Sequence, residues 1–430
     1  MRHAATDRDV ARRYALAFVA ALAASLALVA ATNALLDPFA MHPWLAIEGV
    51  NAVKPATHTR VRLFKAYEVE RVRPEAIVLG SSRSHVGFSC AHAAFRERAG
   101  PCYNLAFDGA TTREMYAYLV HAHAIRPLRT VLLGLDSYHL SEATSATRPG
   151  FDASVLRSPE RPAWRRAIEG DLRISISADA LRASVDMLGH QRDGEPEWFA
   201  ADGQRLGEVF FRREGEAFVR AGPRAYFDDI DRLEVGFQLP PRETTVAHAE
   251  PAQSDRGESS LAYVGRIVAF CGDHGIDLRI AITPSHVHQL EIAAMLGAEE
   301  AAERGKRALV RMLAQGRRDR APVPVWDFSG VSSITTESLP PLGSRAEMAF
   351  YWDSSHFKSI VGDLVLDRVF GTAAAAHPLP ADFGVRLEAD TIEPVLASER
   401  ARHAAHRERA AEDLAALRAL VDAAAKRPQP

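Results

Sequence analysis

The stretch IVLGSSRSH, residues 77–85, decides how this chain is expected to fold. Three apolar residues run into a glycine and two serines, with an arginine and a histidine close behind. A short run of Val, Ile and Leu that ends in small or polar residues has the look of a strand buried on both faces of a parallel sheet. The signature recurs in RTVLLGLD (129–136), DLRIAITPS (277–285) and PVPVWDFS (322–329). Helix-length segments such as TTREMYAYLVHAHAI (111–125) and SSLAYVGRIVAFCGDHG (259–275) lie between these runs. Strand then helix, repeated, predicts an α/β domain on a doubly wound parallel sheet, whose ligands gather at the C-terminal ends of the strands. Ser81, Ser82, Asp136 and Thr283 stand at such ends.

The α/β pattern extends from about residue 50 to 375. Residues 141–255 break its rhythm: they are charged, helical in places (PAWRRAIEGDL, ADALRASVDML), and read as an insertion or cap. Residues 391–427, rich in Ala, Arg and Glu, predict one long, weakly amphipathic helix that is solvated or packed on the body. The 430 residues are 47% hydrophobic and 25% charged, an ordinary globular composition. A net charge of -3, with no dense basic block beyond the N-terminus, leaves no electrostatic footprint for nucleic acid.

From Tyr14 to Leu36 the chain carries no charge over 23 residues, long enough as a helix to cross a hydrocarbon core of about 30 Å. Arg2, Arg8, Arg12 and Arg13 precede it. Basic residues on the leading side hold residues 1–13 in the cytoplasm, which places 14–36 across the inner membrane and the remainder outside. A cleaved signal peptide is the rival reading, but the run exceeds the usual apolar region of about 7–15 residues. Cys90 and Cys102 flank a short helical stretch, and in an oxidising compartment they form either a disulfide or two buried thiols. Cys271 has no evident partner.

A serine hydroxyl is hardly ionised at neutral pH, so attack on a carbonyl needs a histidine to take the proton and a carboxylate to hold that histidine. FYWDSSHFK, residues 350–358, offers both: Asp353 and His356, three apart, can face the same way on one turn. Trp352 beside them is a candidate for stacking on a sugar ring. His286 and His288, after the strand ending at Thr283, lack a third ligand in register for a metal; no metal or cofactor is expected, and His286 is a candidate for lining the cleft. His85 and Arg83 are read as anchoring the serine turn to neighbouring carboxylates.

Taken in order, GSSR after a strand, YNLAFDGATT, LLGLDS at the next strand end, and WDSSH near the C-terminus resemble the four blocks of the SGNH (GDSL-like) hydrolases. The resemblance covers roughly residues 72–140 and 275–370. It implies Ser82 as nucleophile, His356 and Asp353 as its partners, and the backbone amides of Ser82 and Gly109 as oxyanion donors. One block departs: where the family has an asparagine donor this chain has Asp136, which is protonated, binds a substrate hydroxyl or pairs with Arg83. Membrane-anchored proteins of this build resemble periplasmic components of bacterial polysaccharide O-acetylation and deacetylation, which can receive the acyl group from a multi-span membrane acyltransferase. The function so implied is a serine-dependent O-acyl transferase or esterase acting on an extracytoplasmic glycan or acyl ester. The alternative is a catalytically silent protein of the same fold that binds a glycan or scaffolds an envelope complex.

Overall fold

Six strands form one sheet in the order β2-β1-β3-β4-β5-β6 in the computed structural model, which describes residues 2–42, 46–98, 100–191, 197–214, 216–238, 258–315, 322–372 and 378–426. They are β1 Ala76–Leu79, β2 Cys102–Asn104, β3 Thr130–Leu135, β4 Asp277–Ile282, β5 Val325–Asp327 and β6 Val385–Arg386. Strands β1 to β5 are parallel and β6 is antiparallel to β5, so the sheet is mixed at one edge where a wholly parallel one was expected. Every residue of β1 and β3 is buried, which is why both read as unbroken apolar runs. Leu79 pairs with Leu133 and Leu135 with Ile282, so the chain leaves β1, β3 and β4 side by side. Strand order reverses between β1 and β3, and at such a reversal the outgoing loops part and open a crevice.

The core beneath one face joins Ala76, Val78, Leu132 and Ala281 to Phe88, Phe95, Phe357 and the helix Ser359–Phe370. Cys90 and Cys102 are joined by a disulfide beside this cluster, which resolves the two readings left open for them. Cys271 is a buried free thiol.

The chain divides into two compact units, Met1–Arg71 with Gly150–Pro196, and Val72–Pro149 with Glu197–Pro430. This differs from a single domain over 50–375 with a 141–255 insertion: most of that stretch is shared out between the units, and residues 239–255 of it lie outside the described residues. The first unit contains the helix Arg2–Leu36, of which Asp9–Leu36 is long and apolar enough to cross a membrane. Asn33, in its last turn, donates from Nδ2 to Ser175 O at 2.7 Å and accepts from Ser184 Oγ at 2.9 Å. The second unit holds the sheet. Its C-terminal run is two helices, Ile392–Arg409 and Ala411–Lys426, rather than one, because Ala410 leaves the helical region.

Candidate active site

The site is built where β1, β2 and β3 end. After Leu79 the chain turns at Gly80 into the short helix Ser82–Gly87. A Cβ on Gly80 would stand 2.1 Å from Ser84 Oγ, so only glycine lets the helix begin this close to the strand. Ser81 is the N-cap: its Oγ accepts from Arg83 N at 3.3 Å and donates to Asp136 Oδ2 at 2.5 Å. Ser82, the first helical residue, has a backbone N–H with no acceptor among the described residues. Its hydroxyl is 2.8 Å from His356 Nε2.

His356 Nδ1 lies 3.0 and 2.9 Å from the two oxygens of Asp353. Asp353 is fully buried, and its Oδ1 also accepts from the backbone N–H groups of Ser355 and His356 at 2.7 and 2.8 Å, which fixes the carboxylate in the turn. A carboxylate can only accept, so Nδ1 carries the proton and Nε2 is left to accept from Ser82. Burial opposes the imidazolium, but the charge and hydrogen bond of Asp353, with Asp108 further off, outweigh it and raise the His356 pKa above 6.5. The structure thus brings Ser82, His356 and Asp353 into one hydrogen-bonded chain.

Gly109 follows β2 with φ of +60°, and its N–H also has no acceptor among the described residues. The loop around it is pinned on both sides. Asn104 Oδ1 accepts from Ala106 N at 3.1 Å, and His139 Nε2 donates to Ala110 O at 2.9 Å while its Nδ1 accepts from Asp136 N at 3.0 Å. Asp108, the neighbour of Gly109, is bound by His85 Nδ1 at 3.1 Å and by Arg205, and its side chain is 38% exposed. Against the cost of burial, His85 and Arg205, with His356 beyond them, hold the Asp108 carboxyl well below the usual range.

Asp136 is buried and charged. Thr283 Oγ1 and Ser81 Oγ each donate to it at 2.5 Å, and Arg83 Nη1 is 3.8 Å away. Burial alone would raise its pKa; Arg83, His139 and the two hydroxyls bring it down to about 2. Of the three readings of this residue, pairing with Arg83 is the one the geometry shows. Arg83 is itself buried and donates from Nε and Nη2 to Ser355 Oγ at 3.2 and 3.1 Å. Tyr138 turns its hydroxyl inward onto Asp136 and Ser81 but leaves its ring half exposed.

Two candidates are placed elsewhere. Trp352 is buried at 5% exposure, stacked on Phe211 at 5.2 Å with Lys358 Nζ 4.3 Å from its ring centre, so it has no surface to offer a sugar. His286 is buried, with Nε2 on Glu337 O at 2.8 Å, and borders a cleft of about 670 Å³ formed with Val331, Glu337, Leu339 and the C-terminal helices, which Ser82 does not line. His288 is taken by Asp231 at 2.7 Å. Sequence reasoning missed Asp108, Tyr138, His139, Arg205 and Glu234. Glu234, on the helix Pro223–Gln238, faces Ser355; burial raises its pKa, and Arg83 and His356 only partly offset this. Asp108 sits inside a quoted block and Tyr138 directly follows one, so both were within reach; Arg205 and Glu234 belong to the stretch that no pattern placed. No family model matches the chain, and no curated protein matches it.

Proposed function

We propose that this chain is a serine-dependent O-acyl esterase or acyltransferase of the SGNH type, held at the inner membrane by its N-terminal helix, with the sheet unit outside, and acting on a glycan. The observation that carries the reading is the chain Ser82–His356–Asp353 beside two backbone N–H groups without acceptors among the described residues, those of Ser82 and Gly109. Ser82 Oγ attacks the ester carbonyl as its proton passes to His356 Nε2. The oxyanion forms against the two amides and collapses, the leaving alkoxide takes the proton from His356, and the acyl group stays on Ser82. Water or a sugar hydroxyl then gives its proton to His356 and attacks the acyl carbon, and Ser82 Oγ leaves with that proton as the new acyl product departs. The half-exposed ring of Tyr138 and the partly exposed side chain of Asp108 suit a polyhydroxylated ring, with apolar C–H groups on one face and hydroxyls at its edge. The disulfide accords with an oxidising compartment.

One observation favours a second reading, a catalytically silent glycan-binding or scaffold protein. Asp136 is charged where the family has a neutral donor, and loss of one such donor costs about 100-fold to 1000-fold in rate. Fluorophosphonate labelling of the full chain separates the two. Covalent modification that is lost in Ser82→Ala supports the enzyme; no modification under conditions that label a control esterase supports the scaffold.

A further inference from the structure

The unit that contains the N-terminal helix carries apolar side chains that its described residues leave exposed. Ala163–Arg166, Ala167–Leu172 and Arg173–Ser175 join into one helical run whose middle is π-wound. Trp164, Ile168 and Leu172, four residues apart, share a side of it and are 61%, 55% and 47% exposed. The other side is occupied: Gly170 is buried against Ser154, and Arg166 bonds Val155 O at 2.7 Å and Glu70 at 2.8 Å. The next helix, Ala178–His190, buries Ala180, Ser184 and Met187 but exposes Val185 and Leu188.

Both helices are fastened to the last turn of the apolar helix through the two ends of one side chain, Asn33, which bonds Ser175 O and Ser184 Oγ. Asp9–Leu36 spans 28 residues, about 42 Å at 1.5 Å per residue, against a hydrocarbon core of about 30 Å. The turn at Asn33, three residues from its end, therefore falls at the level of the lipid headgroups. We propose that Trp164, Ile168, Leu172, Val185 and Leu188 rest on the phospholipid surface, a second membrane contact besides the spanning helix. Continuity with the spanning helix selects lipid as the occupant. Tryptophan favours this depth, and exposed Arg165, whose guanidinium lies 5.6 Å from the Trp164 ring, can reach phosphate while its stem stays on apolar surface. An interfacial helix of this kind sinks its apolar face about 5–10 Å into the headgroup and upper acyl region.

The test uses the full chain reconstituted in vesicles of phosphatidylethanolamine and phosphatidylglycerol, with a fraction of the lipid brominated either near the headgroup or near the terminal methyl. Headgroup-side bromine should quench part of the tryptophan emission more than methyl-side bromine does, and Trp164→Phe should remove that component. Ile168→Glu with Leu172→Glu, at exposed positions that leave the fold intact, should lose it as well. A chain that floats with the vesicles while Trp164→Phe leaves quenching unchanged would overturn the lipid contact alone. So would cross-linking of this face to another protein. A chain that fails to float would overturn the spanning helix and the contact together.

Discussion

The two serines after β1 are adjacent and make different bonds. Ser81 Oγ is committed to Asp136 and to capping the helix, while Ser82 Oγ meets His356. Ser82→Ala should therefore reduce turnover of p-nitrophenyl acetate by on the order of 10⁶-fold. Ser81→Ala should keep much of the activity and lose about 1 kcal/mol of stability with the cap; equal losses from both would reverse the assignment. The pH dependence follows from His356, which must be neutral to take the serine proton. Its pKa is raised, so kcat/KM should fall as pH drops through a value above 6.5. Asp108 contributes to that rise, so Asp108→Asn should move the acid limb to lower pH. An unmoved limb would show that Asp108 does not act on His356. The triad was legible in the sequence because each member lies at a strand end or within one turn of its partner. The environment of Asp136 was legible only in part: pairing with Arg83 was one of three readings, but the hydroxyl of Thr283 meets it only once the strands are paired.

At the scale of elements, the C-terminal helices are held on the sheet unit by buried charge. Glu291, on the helix Val287–Met295, is 1% exposed; His403 Nε2 is 2.6 Å from one of its oxygens and Arg407 Nε 2.9 Å from the other. Burial works against the Glu291 carboxylate, but these two partners outweigh it and lower its pKa below 4.5. A depressed pKa stabilises the fold above pH 4.5 and the gain is lost as pH falls through the folded value. Glu291→Gln should thus cost about 2–3 kcal/mol in denaturant unfolding at neutral pH. The deficit should shrink in acid; a constant deficit would point to packing instead. Strands β1 and β3 were legible because their apolar runs are continuous, and β4 and β5 because each lies in a Val- or Ile-containing run that ends in small or polar residues. β2 (CYN) and β6 (VR) stand in no apolar run of their own, so register with their neighbours defines them. The break at Ala410 was hidden for another reason: alanine is the best helix former, and nothing in the local composition marks an interruption.

For the whole molecule, the long apolar N-terminal helix and the α/β class could be read directly, but the partition into units could not. Val53 N donates to Gln191 Oε1 at 3.1 Å, and Tyr67 bonds Asp171, across sequence gaps that no periodicity reports. The two units are also interleaved: residues 72–149 of the second separate the two segments of the first. This has a consequence for how the protein is made. A chain leaving the ribosome cannot complete the first unit until Pro196 has emerged, by which time β1, β2 and β3 have already emerged. The partner that covers the open side of β3 is β4, which begins only at Asp277. For that interval the nascent protein presents a three-stranded sheet with an unpaired apolar edge, the kind of surface that recruits chaperones or aggregates. Biogenesis of this protein is therefore most vulnerable while residues 197–276 are still being delivered.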